Sequence, residues 1–368
     1  MPERSKRHHF LPQLIQRSFA KDSQVMTFDR EKRASYPQSI TTAAAENDYN
    51  SLLLEDGTLS DAAEKAISSI IEGPVGKVLQ RIDTGGWVES KTELFALARF
   101  IVFQFLRVPS NREQMDALAD QTMKLDMAAG GPAKLREVLD QAFGRPATDE
   151  EVWEHWEAIR DFDDWSLVLP REHHVQESLQ MLDEFTPALA TGYRWSVMRW
   201  KRRHLLTSDN PVVLVPPDGS TEPAGLYTAG MIFMSISRST AIVLTNGAVS
   251  DELPEGPAVA GTFAMARRFN GMTAAMGRRW IYHHPDDSLD DLLGEGWELP
   301  VIPPISMDDD HSRELRRRLA LMAEWAFHHP DQPHPMFGDV EWDWDRDVPG
   351  PRTDTTEPAQ EPPEGPRA

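Results

Sequence analysis

Cysteine is absent from this chain of 368 residues. Its absence excludes disulfides, iron–sulfur clusters, cysteine-ligated zinc and thiol nucleophiles, so any metal would have to bind His, Asp or Glu side chains. Long apolar runs are also absent, since none approaches the roughly 20 residues that a membrane-spanning helix needs. The basic N-terminal segment is followed by Leu-Pro-Gln and charged residues instead of the apolar core of a signal peptide. We therefore expect a cytoplasmic protein that does not enter a membrane.

Positive charge is scarce, because 38 Lys and Arg residues stand against 59 Asp and Glu residues and the formal net charge is −21. Nucleic-acid affinity depends largely on Lys and Arg, so this balance argues against a general phosphate-binding surface. Local basic runs remain candidates for such a surface, although runs of charge usually solvate one face of a helix. These runs are residues 199–203, 267–268, 278–279 and 316–318.

The composition, 40% hydrophobic and 26% charged, is typical of a soluble globular protein. We predict a single domain over residues 1–340, in which a helical half over residues 55–200 could be inserted between the sheet-forming parts. Residues 341–368 alternate acidic residues with Trp and then become rich in Pro, Thr and Glu, which predicts a disordered acidic tail. The tail is either a docking peptide for a protein partner or simply solvated chain.

Capping patterns and apolar spacing predict a helix-rich first half. The most hydrophobic helix is expected over Ser90 to Val108, where Ser90 and Glu93 form a capping-box pattern and Pro109 ends the helix. Its C-terminal half is apolar almost all round, which predicts a central buried helix. Further helices are predicted at residues 10–20, 60–82, 111–127, 133–143, 148–160, 172–199, within 256–277 and at 311–327.

Strand signals lie mostly in the second half of the chain, around the stretch from His204 to Val215. There, two apolar arms are split by Thr207-Ser208-Asp209-Asn210-Pro211, and Pro fixes a bend between them. Other strands are predicted at residues 24–29, 231–235, 240–245 and 280–282. The fold class is therefore α+β, with a helix-rich N-terminal half packed on one small, mostly antiparallel sheet.

Four motifs follow one another along the chain. They are His8-His9-Phe10-Leu11-Pro12-Gln13, Arg107-Val108-Pro109 with Arg112, Thr207-Ser208-Asp209-Asn210-Pro211, and Asn270 ahead of Trp280-Ile281-Tyr282. The order of these motifs resembles the bacterial domain of unknown function 4238 family. That resemblance implies little about activity, because the family has no assigned function. Its members show a Pro-Leu-Ser-Pro-like segment where this chain has Phe233 to Arg238, so the resemblance assigns that segment no role.

Histidines invite a metal hypothesis, since eight of the 12 occur as adjacent pairs. Adjacent side chains diverge on a strand or a helix, so such pairs do not easily chelate one ion. His8 and His9 are the exception, because they precede a helix start and could join Asp209 as an acid–base pair. We predict His8, His9 and Asp209 as candidate catalytic residues, with His9 and Asp209 as candidate ligands of a divalent metal.

Two interpretations remain open for the polar residues of the buried helix. Gln104 and Arg107 share a helical face, and Arg112 follows just past the Pro turn. They could form an anion clamp for a phosphate or carboxylate. Arg107 could instead make a buried ion pair with Asp209 or another acid and fasten the helices to the sheet.

The polar bend also has alternative roles. Asp209 and Asn210 could act on a substrate or simply form the turn, since Asp and Asn stabilise tight turns. Without a Gly-x-Ser-x-Gly elbow or a dinucleotide fingerprint, the sequence argues against Ser208 as a serine-hydrolase nucleophile and against a nucleotide-cofactor fold. Ser208, Asn210 and Asn270 join Gln104, Arg107 and Arg112 as the candidate substrate-binding set.

These residues favour a hydrolase of a phosphorylated or nucleic-acid-like substrate. In that hypothesis His8 or His9 acts with Asp209, while Arg107 and Arg112 hold the anion of a small-molecule or nucleic-acid-like ligand. The alternative is a non-enzymatic ligand-sensing or protein-interaction module, in which the same polar residues form a structural network.

Overall fold

A computed structural model describes residues 6–54, 56–220, 224–246, 256–302 and 305–332. The predicted acidic tail over residues 341–368 lies outside these ranges. None of the helices in the described ranges combines the length and the apolar character that a membrane crossing requires.

The chain forms two compact units. The first unit contains Met1–Leu125 and Phe162–Arg313, and the second contains Asp126–Asp161 and Glu314–Ala368. The sequence-predicted sites all fall in the first unit.

Two helices begin at the positions that their capping residues predicted. The Ser90 side chain accepts a hydrogen bond from the Glu93 amide at 3.2 Å. Thr148 and Glu151 form a complete capping box. The helices are α1 (Gln13–Gln16), α2 (Ala62–Ile67), α3 (Gly73–Asp83), α4 (Lys91–Leu106), α5 (Pro109–Phe143), α6 (Asp149–Ile159), α7 (Arg171–Gly192), α8 (Phe263–Met276), α9 (Leu289–Leu293) and α10 (Asp310–His328), with a 3₁₀ turn at Arg17–Phe19 and a π-helical turn at Ser68–Glu72.

The prediction of one helix over residues 172–199 is wrong at its end. The helix α7 stops at Gly192, and the chain continues as a strand over Arg194–Arg199. Trp195 and Val197 are buried in that strand, where aromatic and β-branched side chains pack well against a pleated surface. Tertiary packing therefore overrides the helical continuation that spacing alone suggested.

The predicted α+β fold class is confirmed, and the strands divide between two larger sheets and two strand pairs instead of forming a single sheet. The sheet strands are β1 (Arg7–His9), β2 (Gln24–Asp29), β3 (Ala34–Ser39), β4 (Ala45–Asn47), β5 (Leu52–Leu53), β6 (Leu59–Ser60), β7 (Arg194–Arg199), β8 (Thr207–Ser208), β9 (Val212–Val215), β10 (Met231–Ser237), β11 (Thr240–Thr245), β12 (Gly256–Ala260) and β13 (Trp280–His283). A five-stranded sheet has the order β12-β7-β11-β10-β9, and a four-stranded sheet has the order β3-β2-β13-β8. Two two-stranded sheets pair β1 with β4 and β5 with β6. Among these described strands only the pairing of β12 with β7 is parallel, so the prediction of mostly antiparallel strands is confirmed.

The polar bend predicted around Pro211 connects these two sheets. Its first arm, β8, pairs with β13 in the four-stranded sheet. Its second arm, β9, pairs with β10 in the five-stranded sheet. Since Pro cannot donate a ladder hydrogen bond, it ends one pairing and lets the chain enter the other.

The main core of the first unit lies between α4 and the five-stranded sheet. Eight residues of α4 are buried, and seven of them are apolar. The α4 helix also packs along α7, where Arg99 binds Asp183 at 3.1 Å at the edge of the contact. The expectation of a central buried helix is confirmed.

In the second unit, Gly131 interrupts α5 with φ +57° and ψ −149°, which an L side chain rarely adopts. A Cβ atom at this position would lie 2.4 Å from the Cβ atom of Ala323. We predict that Gly131→Ala destabilises this unit by the backbone strain of about 1–2 kcal/mol plus roughly 1–3 kcal/mol of overpacking. Urea unfolding measures the change.

Gly144→Ala is the matched control, because Gly144 also has a positive φ (+64°) but no atom lies within 4 Å of the position that a Cβ atom would take there. It should show only the backbone strain. Equal costs for the two variants would contradict the close contact between Gly131 and Ala323.

Candidate functional site

Arg107 is buried at the end of α4 and is held by three parts of the chain. Its Nε atom donates to the Phe10 carbonyl at 2.7 Å, and its Nη1 atom lies 2.8 Å from a carboxylate oxygen of Glu72. Its own carbonyl accepts a hydrogen bond from the Tyr49 hydroxyl at 2.7 Å. Arg107 therefore makes the buried ion pair that we considered, with Glu72 as the acid in place of Asp209.

Arg112, the second arginine of this motif, is linked through Asn50 to His8 in the N-terminal strand β1. It donates to the Tyr49 carbonyl at 2.6 Å and to the Asn50 side chain at 2.7 Å, and it stacks 3.4 Å from the centre of the Tyr49 ring. The Asn50 amide in turn donates to Nδ1 of His8 at 2.8 Å. His8 is fully buried, so this network presents neither His8 nor Arg112 as an open clamp.

His9 is half-buried in the same region. Its Nε2 atom donates to the Ile40 carbonyl at 3.1 Å. Burial lowers its pKa, the Ile40 hydrogen bond opposes that effect, and Arg107 lowers the pKa further. The neutral imidazole is therefore the favoured form of His9.

Two polar groups beside this network have no hydrogen-bond partner within the described residues. Both side-chain amide atoms of Gln104 are buried and unpaired, and so is the Nη2 atom of Arg107. Gln104 and Arg107 lie three residues apart and share one face of α4. Buried unpaired polar groups normally cost about 1–3 kcal/mol each, so this pair is a candidate contact for a ligand or a water molecule.

The buried Asp209 carboxylate binds three successive backbone amides. One oxygen accepts from Arg278 at 2.8 Å, and the other accepts from Arg279 at 2.8 Å and from Trp280 at 3.0 Å. Burial raises the pKa of Asp209 to about 6, although the three amides act in the opposite direction. The carboxylate thus fixes the start of β13.

The other candidate substrate-binding residues are also bound internally. The Ser208 hydroxyl bonds to the backbone of Asn210, whose side chain donates to the Met276 carbonyl at 3.2 Å. Asn270 is buried and contacts three backbone groups, the Leu206 amide and the carbonyls of His204 and Leu292. These contacts fasten α8 and α9 to the polar bend.

The predicted site residues therefore form two clusters. His8, His9, Arg107 and Arg112 meet at the end of α4, whereas Asp209 lies at the start of β13. Among the contacts of the described residues, no hydrogen bond or ion pair joins His9 to Asp209. The clusters meet indirectly, because the Phe10 ring stacks on the Trp280 ring with centroids 5.8 Å apart.

Across the residues that the structure describes, no group of three or more His, Asp or Glu side chains is arranged to hold a metal ion. A metal at His9 or Asp209 would therefore need further ligands from outside the described protein residues. The divalent-metal hypothesis stays a prediction.

Sequence reasoning missed a third cluster, at the start of the stretch from His204 to Val215. His204 Nδ1 lies 2.6 Å from an oxygen of Asp287, whose side chain is 6% exposed. Arg238 binds the same carboxylate twice, at 2.9 Å through Nε and at 2.6 Å through Nη2. His204 and Asp287 are 83 residues apart, so no local spacing could have revealed the pair.

The contact with Asp287 determines which ring nitrogen of His204 carries the proton. An imidazole that donates its Nδ1 proton to a carboxylate keeps Nε2 as the proton-accepting atom. The His204 side chain is 38% exposed, and its Nε2 atom has no hydrogen-bond partner among the described residues. Burial raises the pKa of Asp287, but the hydrogen bonds from Arg238 and His204 outweigh burial and the net pKa is lowered. Asp287 therefore stays ionised.

Three further titratable groups surround this pair. Lys21 binds Asp286 at 2.7 Å, and His284 Nδ1 lies 3.8 Å from the Asp286 carboxylate. Burial lowers the pKa of His284, and the positive charge of Arg238 lowers it further. The cluster thus combines two cations, two carboxylates and two imidazoles at a partly exposed surface.

Comparison with protein-family models gives one finding. The family described as "Protein of unknown function (DUF4238)" matches residues 7–287, which is more than half of the chain. No curated protein and no solved structure matches the chain.

Asp209 provides a direct stability test of the backbone contacts at β13. In Asp209→Asn the side-chain nitrogen replaces one accepting oxygen and faces a backbone N–H. We predict a loss of about 2–4 kcal/mol in the free energy of unfolding at neutral pH, measured in urea. The control is Asp218→Asn, because Asp218 is exposed and accepts hydrogen bonds from the nearby Ser220, including the Ser220 amide at 2.9 Å. An unchanged stability of Asp209→Asn would contradict the structural role.

The pH dependence of the same variant has a defined sign. The pKa of Asp209 is about 6 in the folded chain against 3.8 as its ordinary value, so the folded chain binds this proton more tightly than the unfolded chain does. The stability gained from that proton is fully present below pH 3.8. It is lost as the pH rises through 6, by roughly 3 kcal/mol. The advantage of wild type over Asp209→Asn should shrink between pH 4 and pH 7.

Asp287 has a lowered pKa, so its contribution to stability should change in the opposite direction and fall on acidification. Urea unfolding between pH 4 and pH 7 measures the Asp209 change, whereas unfolding below pH 3.8 measures the Asp287 change. A constant Asp209 difference between pH 4 and pH 7 would contradict the raised pKa.

Proposed function

This chain belongs to the DUF4238 family, and we propose that it is a hydrolase of phosphate esters in which His204 acts as the general base. The observation that carries the proposal is the 2.6 Å contact between His204 Nδ1 and the buried Asp287 carboxylate. A carboxylate in this position fixes the tautomer and stabilises the imidazolium that forms during proton transfer. The unpartnered Nε2 atom is then available to a water molecule.

The reaction would proceed by attack of water on phosphorus. His204 Nε2 takes a proton from the water as the new P–O bond forms, and the bond to the ester oxygen breaks. The leaving alkoxide then takes up a proton from the imidazolium or from solvent. Acid–base groups of this kind contribute typically about 10²–10⁴-fold to a rate.

The neighbouring cations support a phosphate as the reacting group. Arg238 uses Nε and Nη2 on Asp287, and its remaining nitrogen, Nη1, has no hydrogen-bond partner within the described ranges. The Lys21 side chain is 52% exposed and reaches Asp286. A phosphoryl oxygen could be held by these two groups, because Arg and Lys stabilise the charge of a transferring phosphoryl group.

A second function is favoured by a different observation. The buried atoms of Gln104 and Arg107 that have no partner among the described residues offer hydrogen bonds to an internal ligand. That arrangement supports the alternative of a non-enzymatic ligand-sensing module. In this alternative His8, Arg112 and Asp209 are structural, and the candidate anion site consists of Gln104 and Arg107.

The hydrolase proposal is tested at His204. We expect His204→Asn to lower kcat by about 10²–10⁴-fold on bis(p-nitrophenyl) phosphate or p-nitrophenyl phosphate, with a melting temperature close to that of wild type. Asp287→Asn should lower kcat as well, since it removes the carboxylate that fixes the His204 tautomer.

His173→Asn is the matched control, because His173 is an exposed histidine of α7 whose ion-pair partner is Glu177. It should keep full turnover. Full turnover by His204→Asn would refute the assignment of the base. A wild-type chain that hydrolyses neither ester would contradict the hydrolase and favour the ligand-sensing module.

A further inference from the structure

A basic groove of about 920 Å³ is lined in part by the residues that come just before His204 in the chain. We define it by residues 199–203 on one side and residues 259–263, the end of β12 and the start of α8, on the other. The floor of the groove is Trp200, which is buried and donates from Nε1 to the Thr262 carbonyl at 2.9 Å. Gly261 makes this packing possible, because a Cβ atom there would lie 2.1 Å from Trp200 Cε2. The two walls are therefore held at a fixed spacing.

Three neighbouring cations of this groove have no carboxylate partner within the described ranges. Lys201, Arg202 and Arg203 are consecutive and exposed, and within the described ranges none of them binds a carboxylate. Elsewhere in the unit, arginines such as Arg107 and Arg278 bind Glu72 and Glu113. In a chain with a net charge of −21, three consecutive cations without a carboxylate partner in the described ranges form a local positive field.

An aromatic side chain lies among these charges. Phe263 is 45% exposed, and the guanidinium carbon of Arg203 lies 3.9 Å from the centre of its ring. The guanidinium of Arg267 approaches the same ring at 5.8 Å. Exposed aromatic rings and guanidinium planes are the surfaces on which unpaired nucleobases stack, while the adjacent cations bind the phosphates.

We propose that the basic groove binds single-stranded nucleic acid. Three adjacent cations match a short run of backbone phosphates, and Phe263 with Arg203 offers one stacking position for a base. The large negative charge of the rest of the chain disfavours the broad contact that a duplex would need. Arg203 of the groove is followed in the chain by His204, which connects the groove to the His204 and Asp287 pair. The inference that nucleic acid is the substrate rests on the hydrolase proposed above. The inference that the groove binds nucleic acid does not.

Salt dependence is the measurement that identifies a phosphate contact. The probe is a fluorescein-labelled single strand of about 16 nucleotides, as DNA and as RNA, bound to full-length protein and followed by anisotropy. The His204→Asn chain is used in parallel so that turnover does not consume the probe. Each phosphate contact on a single strand contributes about −0.7 to the slope of log K against log salt concentration.

The combined variant Lys201→Ala, Arg202→Ala and Arg203→Ala should weaken binding by at least about tenfold and make this slope shallower by about 2. Phe263→Ala should weaken binding by about 5- to 150-fold, the loss of one stacked base, and leave the slope unchanged. A matched control removes three positive charges from exposed helical positions, with Lys77→Ala, Lys91→Ala and Arg317→Ala. The control should keep the affinity and slope of wild type.

Several results would overturn the proposal. An equal loss in the groove variant and the control would show that only net charge matters. Equal affinity for a poly-glutamate peptide of the same charge would assign the groove to an acidic peptide instead. Unchanged binding by the groove variant would remove the groove from recognition altogether, even if the chain hydrolyses a small phosphodiester. Groove-dependent binding without hydrolysis of any ester supports the groove and overturns only the hydrolase.

Discussion

The contact on which this fold depends most is the Asp209 carboxylate with the amides of Arg278, Arg279 and Trp280. It lies where the chain leaves the four-stranded sheet at β8 and enters the five-stranded sheet at β9. Without an acceptor there, three backbone N–H groups at the start of β13 would be buried without partners. One carboxylate therefore keeps two sheets and the bend between them in register.

The second constraint is the buried arginine at the end of α4. Arg107 reaches the Phe10 carbonyl, and the Phe10 ring stacks on Trp280 beside the amide that binds Asp209. The α4 helix and the four-stranded sheet are thus connected through one aromatic contact. A polar cluster on the helix and a polar cluster on the sheet support each other without sharing a hydrogen bond among the described contacts. This explains why His8, Arg107 and Asp209, which are far apart in the chain, are all buried.

Local signals in the sequence predicted much of this architecture. Ser90 and Thr148 mark helix starts through contacts only three residues long, and β2 and the hairpin of β10 and β11 follow from composition within a few residues. The nonlocal features could not be predicted in the same way. Asp209 binds amides about 70 residues away, and Asp287 binds His204 and Arg238 across 83 and 49 residues. Such partners depend on how the sheets assemble, so a pattern of residue types identified Asp209 as notable but gave no means to find its partners or the His204 pair.

The pairing of β2 with β13 also bears on how the chain folds during synthesis. These two strands are the central strands of the four-stranded sheet, and they lie in different ones of the two chain segments that form the first unit. A ribosome adds residues one at a time from the N-terminus, so β2 is exposed for most of translation before β13 emerges to cover its edge. Such distant contacts close slowly, because a long loop must be ordered before they form. The N-terminal strands are therefore exposed to association with other chains, and to chaperones, until nearly the whole first unit has left the ribosome.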